Sequence, residues 1–261
     1  RYSRNIPAKA ETLAQKFWPG PLTLVLERKD SIPDLVTAGL PTAGFRAPNH
    51  LLTQELLQSL DFPLAAPSAN PFGYISPTTP QHVQDQLGTE VSYILDGGPC
   101  DIGIESTIVG FDNGQAIVYR TGGLRIEDIE SFTGKVKIEI NTSSDPKAPG
   151  QLASHYAPRK QLIVGNLEEL LEQYASHNAG VLSFSKDYHS DAQFILSPSG
   201  DLREAARNLF SALRELDGLP VEIILAEFVP DHDLGRAIND RLKRPSHQKT
   251  HANAPAKAGV Y

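Results

Sequence analysis

Three short polar segments have residue types suited to chemistry, because each follows or separates apolar runs. They are residues 67–70 (Pro-Ser-Ala-Asn), 105–107 (Glu-Ser-Thr) and 147–150 (Lys-Ala-Pro-Gly). The first two have the composition of strand ends that present hydroxyl and amide groups, and the third lies in an aperiodic stretch between two folded halves. Together they predict a site for a phosphate-bearing ligand, with a segment that folds over it.

Two arginines at predicted strand ends have the chemistry of anion ligands. Arg46 lies in a short apolar strand, where burial without a partner is costly and a ligand carboxylate would satisfy it in a bidentate manner. Arg120 precedes Thr121 and two glycines, a setting that suits a phosphate contact. The alternative for each is a solvated arginine at the protein surface.

Hydroxyl, amide and aromatic side chains extend this candidate set. Ser68 and Asn70 follow an apolar run, although Ser and Asn also favour simple turns. His155 and Tyr156 have the chemistry to stack on a nucleotide, and ordinary linker chemistry is the alternative. The sequence has no nucleophile elbow, Walker A motif or dinucleotide-binding glycine fingerprint, which counts against P-loop and dinucleotide enzymes.

Composition restricts the class of protein. The 261 residues carry a net charge of -7, which argues against nucleic-acid binding as the main role. The single cysteine, Cys100, excludes an internal disulfide and fits a cytosolic setting. Every apolar run is far shorter than the ~20 residues of a membrane span. No metal site is predicted, because His232, His247 and His251 lack ligand spacing.

Short apolar runs alternate with amphipathic stretches, so an α/β fold is predicted. Asp112, Asn113 and Gly114 have strong turn chemistry and predict a hairpin, and Pro80 is placed at the first turn of a helix. Strands are predicted at 22–26, 43–47, 63–66, 91–95, 107–111, 116–119, 136–140, 162–164, 180–184, 194–196 and 221–226. Helices are predicted at 7–17, 51–60, 79–87, 126–132, 167–174, 201–216 and 234–242.

The pattern predicts two domains, at residues 1–140 and 161–244. The aperiodic residues 141–160 between them are long for a connection inside a compact protein, which predicts a functional lid. The remaining residues, 245–261, are predicted to be a basic tail, because five Lys and Arg residues and no acid follow Asp240. The positive charge of such a tail attracts RNA, and a solvated, disordered end is the alternative.

Taken in order, short segments along nearly the whole chain resemble the YrdC family, and specifically its two-domain threonylcarbamoyl-AMP synthases. The order of the segments and the linker motif carry the resemblance, since none of the segments is specific by itself. The segments are 17–23 (FWPGPLT), 46–48 (RAP), 66–70 (APSAN), 76–78 (SPT), 96–98 (DGG), 105–107 (EST), 120–123 (RTGG), 147–150 (KAPG), 155–158 (HYAP) and 235–238 (GRAI).

The resemblance implies a YrdC-like twisted open sheet followed by a smaller Rossmann-like α/β domain. It also implies a reaction in which L-threonine, bicarbonate and magnesium-bound ATP give threonylcarbamoyl-AMP and pyrophosphate. Catalysis then consists of positioning and charge stabilisation without a nucleophilic side chain. The implied threonine contacts are Arg46, Ala66 and Ser106. The implied ATP contacts are Thr42, Ser68, Asn70, Ser76, Arg120, His155 and Tyr156.

The resemblance further implies a cytoplasmic enzyme that supplies a tRNA-modifying threonylcarbamoyltransferase, with a weak RNA contact and no membrane partner. The family begins with a strand and turn that carry a threonine-site threonine, followed by a Lys-x-Arg group. No such segment lies upstream of Tyr2, so we expect the first part of the catalytic domain to be missing here. The alternatives are a non-catalytic module of this fold that binds double-stranded RNA, and a carbamoyltransferase, which the linker disfavours.

Overall fold

Two β-sheets organise the computed structural model, which describes residues 1–140 and 156–246. The first sheet is mixed and has the strand order β2-β1-β3-β4-β5. Its strands are β1 (Leu22–Glu27), β2 (Thr42–Phe45), β3 (Thr107–Asp112), β4 (Gln115–Arg120) and β5 (Lys137–Ile138). The helices of this half are α1 (Ala8–Phe17), α2 (Asp34–Thr37), α3 (Leu51–Gln58), α4 (Pro80–Leu87) and α5 (Ile126–Thr133).

The alternation of side chains along β1 explains how this sheet packs. Leu22 and Leu24 point into the core, where they meet Leu13 of α1, and the intervening residues are partly exposed. β1 runs parallel to β3 and antiparallel to β2. β3 and β4 form the predicted hairpin, whose turn residues Asn113 and Gly114 both have positive φ, as a type I′ turn requires. The predicted hairpin is therefore confirmed.

Two predicted strands are wrong, because an apolar run reports side-chain character but not the presence of a pairing partner. Residues 63–66 and 91–95 are in extended or irregular loops. Within the described ranges they pair with no sheet, and Leu64, Tyr93 and Leu95 are exposed. The predicted helix at 51–60 is present as α3, but none of its residues is buried. The four-residue α2 was not predicted, because it is too short to show a periodic pattern.

The second sheet is entirely parallel, with the strand order β6-β9-β7-β8. Its central strand β9 is completely buried, as expected for a sheet with a helix layer on both faces. The predicted smaller α/β domain is confirmed. Its elements are β6 (Gln161–Val164), α6 (Leu167–Gln173), β7 (Ala179–Ser183), β8 (Gln193–Ile195), α7 (Leu202–Gly218), β9 (Ile223–Ala226) and α8 (Gly235–Ser246).

Helix α7 packs the second half directly against residues 74–78 of the first. The buried cluster around Phe210 and Leu213 also includes Ile75 and Ile104 from the first half. Tyr74 donates its hydroxyl hydrogen to Asp217 at 2.7 Å, and burial together with this bond raises the pKa of Tyr74 to about 12. In the ranges described, no helix combines the length and apolar character that a membrane span needs.

Candidate active site

Ser106 and Arg120 meet at one edge of the first sheet. Ser106 directly precedes β3 and Arg120 ends the antiparallel β4, so the hairpin brings both to the same edge. Arg120 is 8% exposed and donates from Nε and Nη2 to the Ser106 carbonyl oxygen at 3.1 and 2.9 Å. The Ser106 hydroxyl lies 3.2 Å from Nη2 of Arg120 and 2.7 Å from the Thr23 hydroxyl. The backbone therefore fixes both a hydroxyl group and a guanidinium group.

Arg46 brings a second guanidinium group to this edge. It follows β2, whose last residue Phe45 pairs with Leu24, so Arg46 lies level with the start of β1. Arg46 is exposed to solvent, yet desolvation by the surrounding protein, and then the positive charge of Arg120, lower its pKa. Among the described residues, Arg46 has no hydrogen-bond or ion-pair partner. Two guanidinium groups that repel each other, one of them without a partner among the described residues, favour an anionic ligand.

The Glu105 carboxylate bridges both halves of the chain at this edge. Ser76 donates its hydroxyl hydrogen to Glu105 Oε1 at 2.7 Å, and Arg241 of α8 donates from Nη2 to Oε2 at 3.0 Å. Burial would raise the pKa of Glu105, but the charges of Arg241 and Arg120 and the Ser76 hydrogen bond outweigh it. The pKa of Glu105 is therefore below its ordinary value, and the carboxylate stays ionised at neutral pH.

Comparison with known proteins identifies the family. The Sua5/YciO/YrdC family model, described as telomere recombination, matches residues 1–122. The model of the threonylcarbamoyl-AMP synthase C-terminal domain matches residues 124–246. A threonylcarbamoyl-AMP synthase from Pyrococcus abyssi is 39% identical over 259 residues, which cover 94% of this chain and 75% of the relative. This chain belongs to the threonylcarbamoyl-AMP synthase family.

Other comparisons agree with membership of the threonylcarbamoyl-AMP synthase family. The Bacillus subtilis threonylcarbamoyl-AMP synthase is 36% identical, with 91% of this chain and 73% of the relative covered. The crystal structure of Pyrococcus abyssi Sua5 complexed with L-threonine has a TM-score of 0.89 at 37% identity, and covers 94% of this chain and 76% of that chain. The expected fold, a YrdC-like sheet followed by a second α/β domain, is thus confirmed.

Several residues that resemble synthase ligands in sequence come together in space. Ser76, Ser106 and Arg120 are linked through Glu105 and the hydrogen bonds described above, and Arg46 interacts electrostatically with Arg120. Asn70 lies on the adjoining loop, where its amide nitrogen donates to the Pro71 and Tyr74 carbonyl oxygens at 2.8 and 3.2 Å. Among the described residues its buried Oδ1 atom has no hydrogen-bond partner.

Other predicted synthase residues are not part of this cluster. Thr42 pairs with Glu27, whereas Ser106 precedes the partner of Leu22, so Thr42 lies six residues away along the direction of β1, or about 20 Å. Ala66 and Ser68 are exposed on the loop that was predicted to follow a strand. Their contacts with substrate, like that of Thr42, stay predictions.

Of the two predicted linker contacts, His155 and Tyr156, the structure describes only Tyr156. His155 lies outside the described residues, together with the rest of 141–155. Tyr156 is 1% exposed, and its ring packs 5.5 Å from that of Phe210, with the Arg241 guanidinium 5.4 Å above it. Tyr156 therefore lies at the junction of the two halves, next to the cluster around Glu105.

Sequence analysis missed two residues that organise this site. Glu105 was placed in the polar segment 105–107 without a role of its own, and Arg241 was counted among the five basic residues after Asp240. The structure corrects this, because Arg241 is completely buried and Arg244 is also buried and paired with Asp240. The helical spacing could have predicted the burial of Arg241, since this residue follows Ala237 by four positions and so lies on the apolar face of α8.

The lowered pKa of Glu105 predicts an acid-dependent loss of stability. The carboxylate stabilises the fold above its ordinary pKa of about 4.3, and this contribution is lost as the pH falls through the lower pKa of the folded state. In urea unfolding between about pH 6 and about pH 3, we expect the wild-type free energy to fall more steeply than that of Glu105→Gln. If the free energy of unfolding depends on pH in the same way in both proteins, the lowered pKa of Glu105 is contradicted.

The close approach of Gly122 to the 105–106 backbone gives a second prediction. A Cβ atom at Gly122 would lie 2.3 Å from the Glu105 carbonyl oxygen and 2.4 Å from the Ser106 carbonyl carbon. Because backbone atoms cannot move aside, Gly122→Ala is expected to destabilise the protein by about 1–3 kcal/mol. Thermal unfolding checks this, with Gly218→Ala as the control, since a Cβ there meets nothing within 4 Å. Equal melting temperatures for the two variants would refute it.

Proposed function

We propose that this chain forms threonylcarbamoyl-AMP and pyrophosphate from L-threonine, bicarbonate and ATP. The observation that carries the proposal is the exposed Arg46 guanidinium, which has no partner among the described residues and lies at the same edge of the sheet as Arg120 and the Ser106 hydroxyl. L-threonine has a carboxylate and ATP has phosphates, so both bring anionic groups that arginine side chains bind. The threonine complex of the Pyrococcus abyssi relative supports this choice of amino acid.

Threonine binding is assigned to the outer part of the cluster. Arg46 would pair with the threonine carboxylate, and the Ser106 hydroxyl would bond a polar group of the same substrate. The Thr23–Ser106 contact of 2.7 Å and the bond from Arg120 keep this hydroxyl in place. Ala66 would contribute a contact from its loop. The small, hydrogen-bonded site thereby orients the amine toward the carbon atom of bicarbonate.

ATP binding is assigned to Arg120, to Ser76 and to the adjoining loop with Ser68 and Asn70. The other ATP contacts stay predictions: Thr42 and the linker residues His155 and Tyr156. Magnesium would enter with the ATP phosphates, which are its usual ligands in such sites. Within residues 1–140 and 156–246, no three His, Cys, Asp or Glu side chains are grouped to hold a metal ion. Glu105 is already engaged by Ser76 and Arg241.

The reaction needs two bond-forming steps and no covalent enzyme intermediate. The threonine amine attacks bicarbonate, which gives the carbamate and releases water. A carbamate oxygen then attacks the α-phosphorus of ATP, and pyrophosphate leaves with the electron pair of the broken P–O bond. Fixed guanidinium groups stabilise the charge that develops on the phosphate oxygens, because they need no reorganisation during the step.

The product would be consumed by a cytoplasmic threonylcarbamoyltransferase that modifies tRNA. Two of the basic residues that predicted a direct RNA contact are engaged inside the protein. Of the five basic residues after Asp240, Arg241 and Arg244 are buried in α8 and pair with carboxylates. They are therefore not available for phosphate contacts with RNA.

A substrate-omission experiment tests the proposed function. The full chain is incubated with L-threonine, ¹³C-bicarbonate and magnesium-ATP, and pyrophosphate and the nucleotide product are quantified by enzyme coupling and mass spectrometry. We expect pyrophosphate release to require threonine, and one ¹³C atom to appear in each threonylcarbamoyl-AMP. Pyrophosphate release that is independent of threonine, or a product without label, would contradict the proposal.

A further inference from the structure

We propose that Arg241, in the second domain, is a positioning residue for ATP, acting through Glu105 on the Ser76 hydroxyl. This inference rests on the proposed function, because Ser76 is assigned there to the nucleotide. It gives the second domain a role in the active site: α8 would complete the site formed by the first sheet.

The contacts of Arg241 are directed mainly at the first half of the chain. Its Nε and Nη2 atoms donate to Glu105 Oε2 at 3.2 and 3.0 Å, and its Nη1 atom donates to the Thr121 carbonyl oxygen at 2.6 Å. Among the described residues, its other contacts are with Ala237 and Asp240 of its own helix and with the face of Tyr156. The side chain is completely buried, so its geometry is fixed by these partners.

Glu105 connects Arg241 to Ser76, because its two carboxylate oxygen atoms have different partners. Oε2 accepts from Arg241, and Oε1 accepts from the Ser76 hydroxyl at 2.7 Å. The Ser76 hydroxyl hydrogen is therefore held by a carboxylate that the second domain positions, so the hydroxyl oxygen is left to accept a hydrogen bond from the nucleotide. Arg214 of α7 supports the same residue, since its Nε atom donates to the Ser76 carbonyl oxygen at 3.1 Å.

A purely structural clamp between the halves is the competing explanation. Other ion pairs already join them, such as Arg236 with Glu127 at 2.5 Å and Arg125 with Asp233 at 3.1 Å. Both partners in those pairs are partly exposed, whereas Arg241 is completely buried and Glu105, which is 19% exposed, also accepts from Ser76. A buried ion pair is not by itself a strong stabiliser, because desolvation offsets the attraction.

The test compares four variants of the full chain by calorimetric titration with a non-hydrolysable ATP analogue and with L-threonine. Arg241→Gln leaves the Glu105 carboxylate without its arginine partner, so the double variant Glu105→Gln/Arg241→Gln is included to remove both charges. Arg241→Lys keeps the charge but not the fork of donors. Glu127→Gln is the matched control, because it breaks an ion pair between the halves away from the site.

We expect the double variant and Arg241→Lys to bind the ATP analogue about tenfold more weakly, with little change in threonine affinity. Thermal unfolding should show that both remain folded, and Glu127→Gln should bind both ligands like the wild type. Wild-type affinity for the analogue in a folded Arg241→Lys or double variant would overturn the inference, as would equal weakening for both ligands. If the wild type itself binds neither ligand, the proposed function fails instead.

Discussion

Replacing Arg46 with alanine is expected to weaken L-threonine binding about tenfold to a hundredfold, with little effect on ATP. A hydrogen bond to a charged group is worth roughly 1.5–3 kcal/mol, which corresponds to that range of affinity. Arg46 has no ion-pair partner among the described residues, so the substitution disturbs no internal pair. The loss of threonine affinity should therefore measure only the contact between Arg46 and the ligand carboxylate.

Calorimetric titration with threonine and with an ATP analogue measures this effect directly. Arg4→Ala is a suitable control, because Arg4 is a half-exposed arginine that pairs with Glu27, at the other end of β1. It should bind threonine like the wild type. Unchanged threonine affinity in Arg46→Ala would refute the assignment of Arg46 to the carboxylate.

Replacing Arg120 with lysine is expected to lower kcat/KM about a hundredfold to a thousandfold, the cost of removing one fixed donor from a developing charge. The positive charge is kept, but one ammonium group cannot reproduce the donors of Nε and Nη2 that grip the Ser106 carbonyl oxygen. The Ser106 hydroxyl loses a bond in the same change. Both the phosphate contact and the threonine site should therefore suffer.

Steady-state pyrophosphate release, with threonine and ATP varied separately, gives kcat and both KM values for Arg120→Lys. Thermal unfolding establishes whether the variant is folded. Arg125→Lys is the control, because Arg125 is a partly exposed arginine that pairs with Asp128 and Asp233 and, within the described ranges, contacts no predicted site residue. A folded Arg120→Lys protein with wild-type kcat/KM would remove Arg120 from the mechanism.

The sequence predicted elements best where local signals agreed. Strand β1 has apolar residues on alternate positions, the 112–114 turn requires positive φ, and Thr79 caps α4 immediately before Pro80. It failed at 63–66 and 91–95, where β-forming residues have no sheet partner within the described ranges. A strand forms only when a neighbour accepts its backbone hydrogen bonds, and that neighbour is not encoded in the segment itself.

For the active site, the residue types were already evident in the sequence: the hydroxyl of Ser106, the guanidinium groups of Arg46 and Arg120, and the glycines after Arg120. Tertiary structure decided which of them meet, and it placed Thr42 at the far end of β1. It also joined Glu105 to Arg241, which are 136 residues apart. No local pattern encodes that contact, because it exists only once the fold brings Arg241 of α8 beside Glu105 and Thr121.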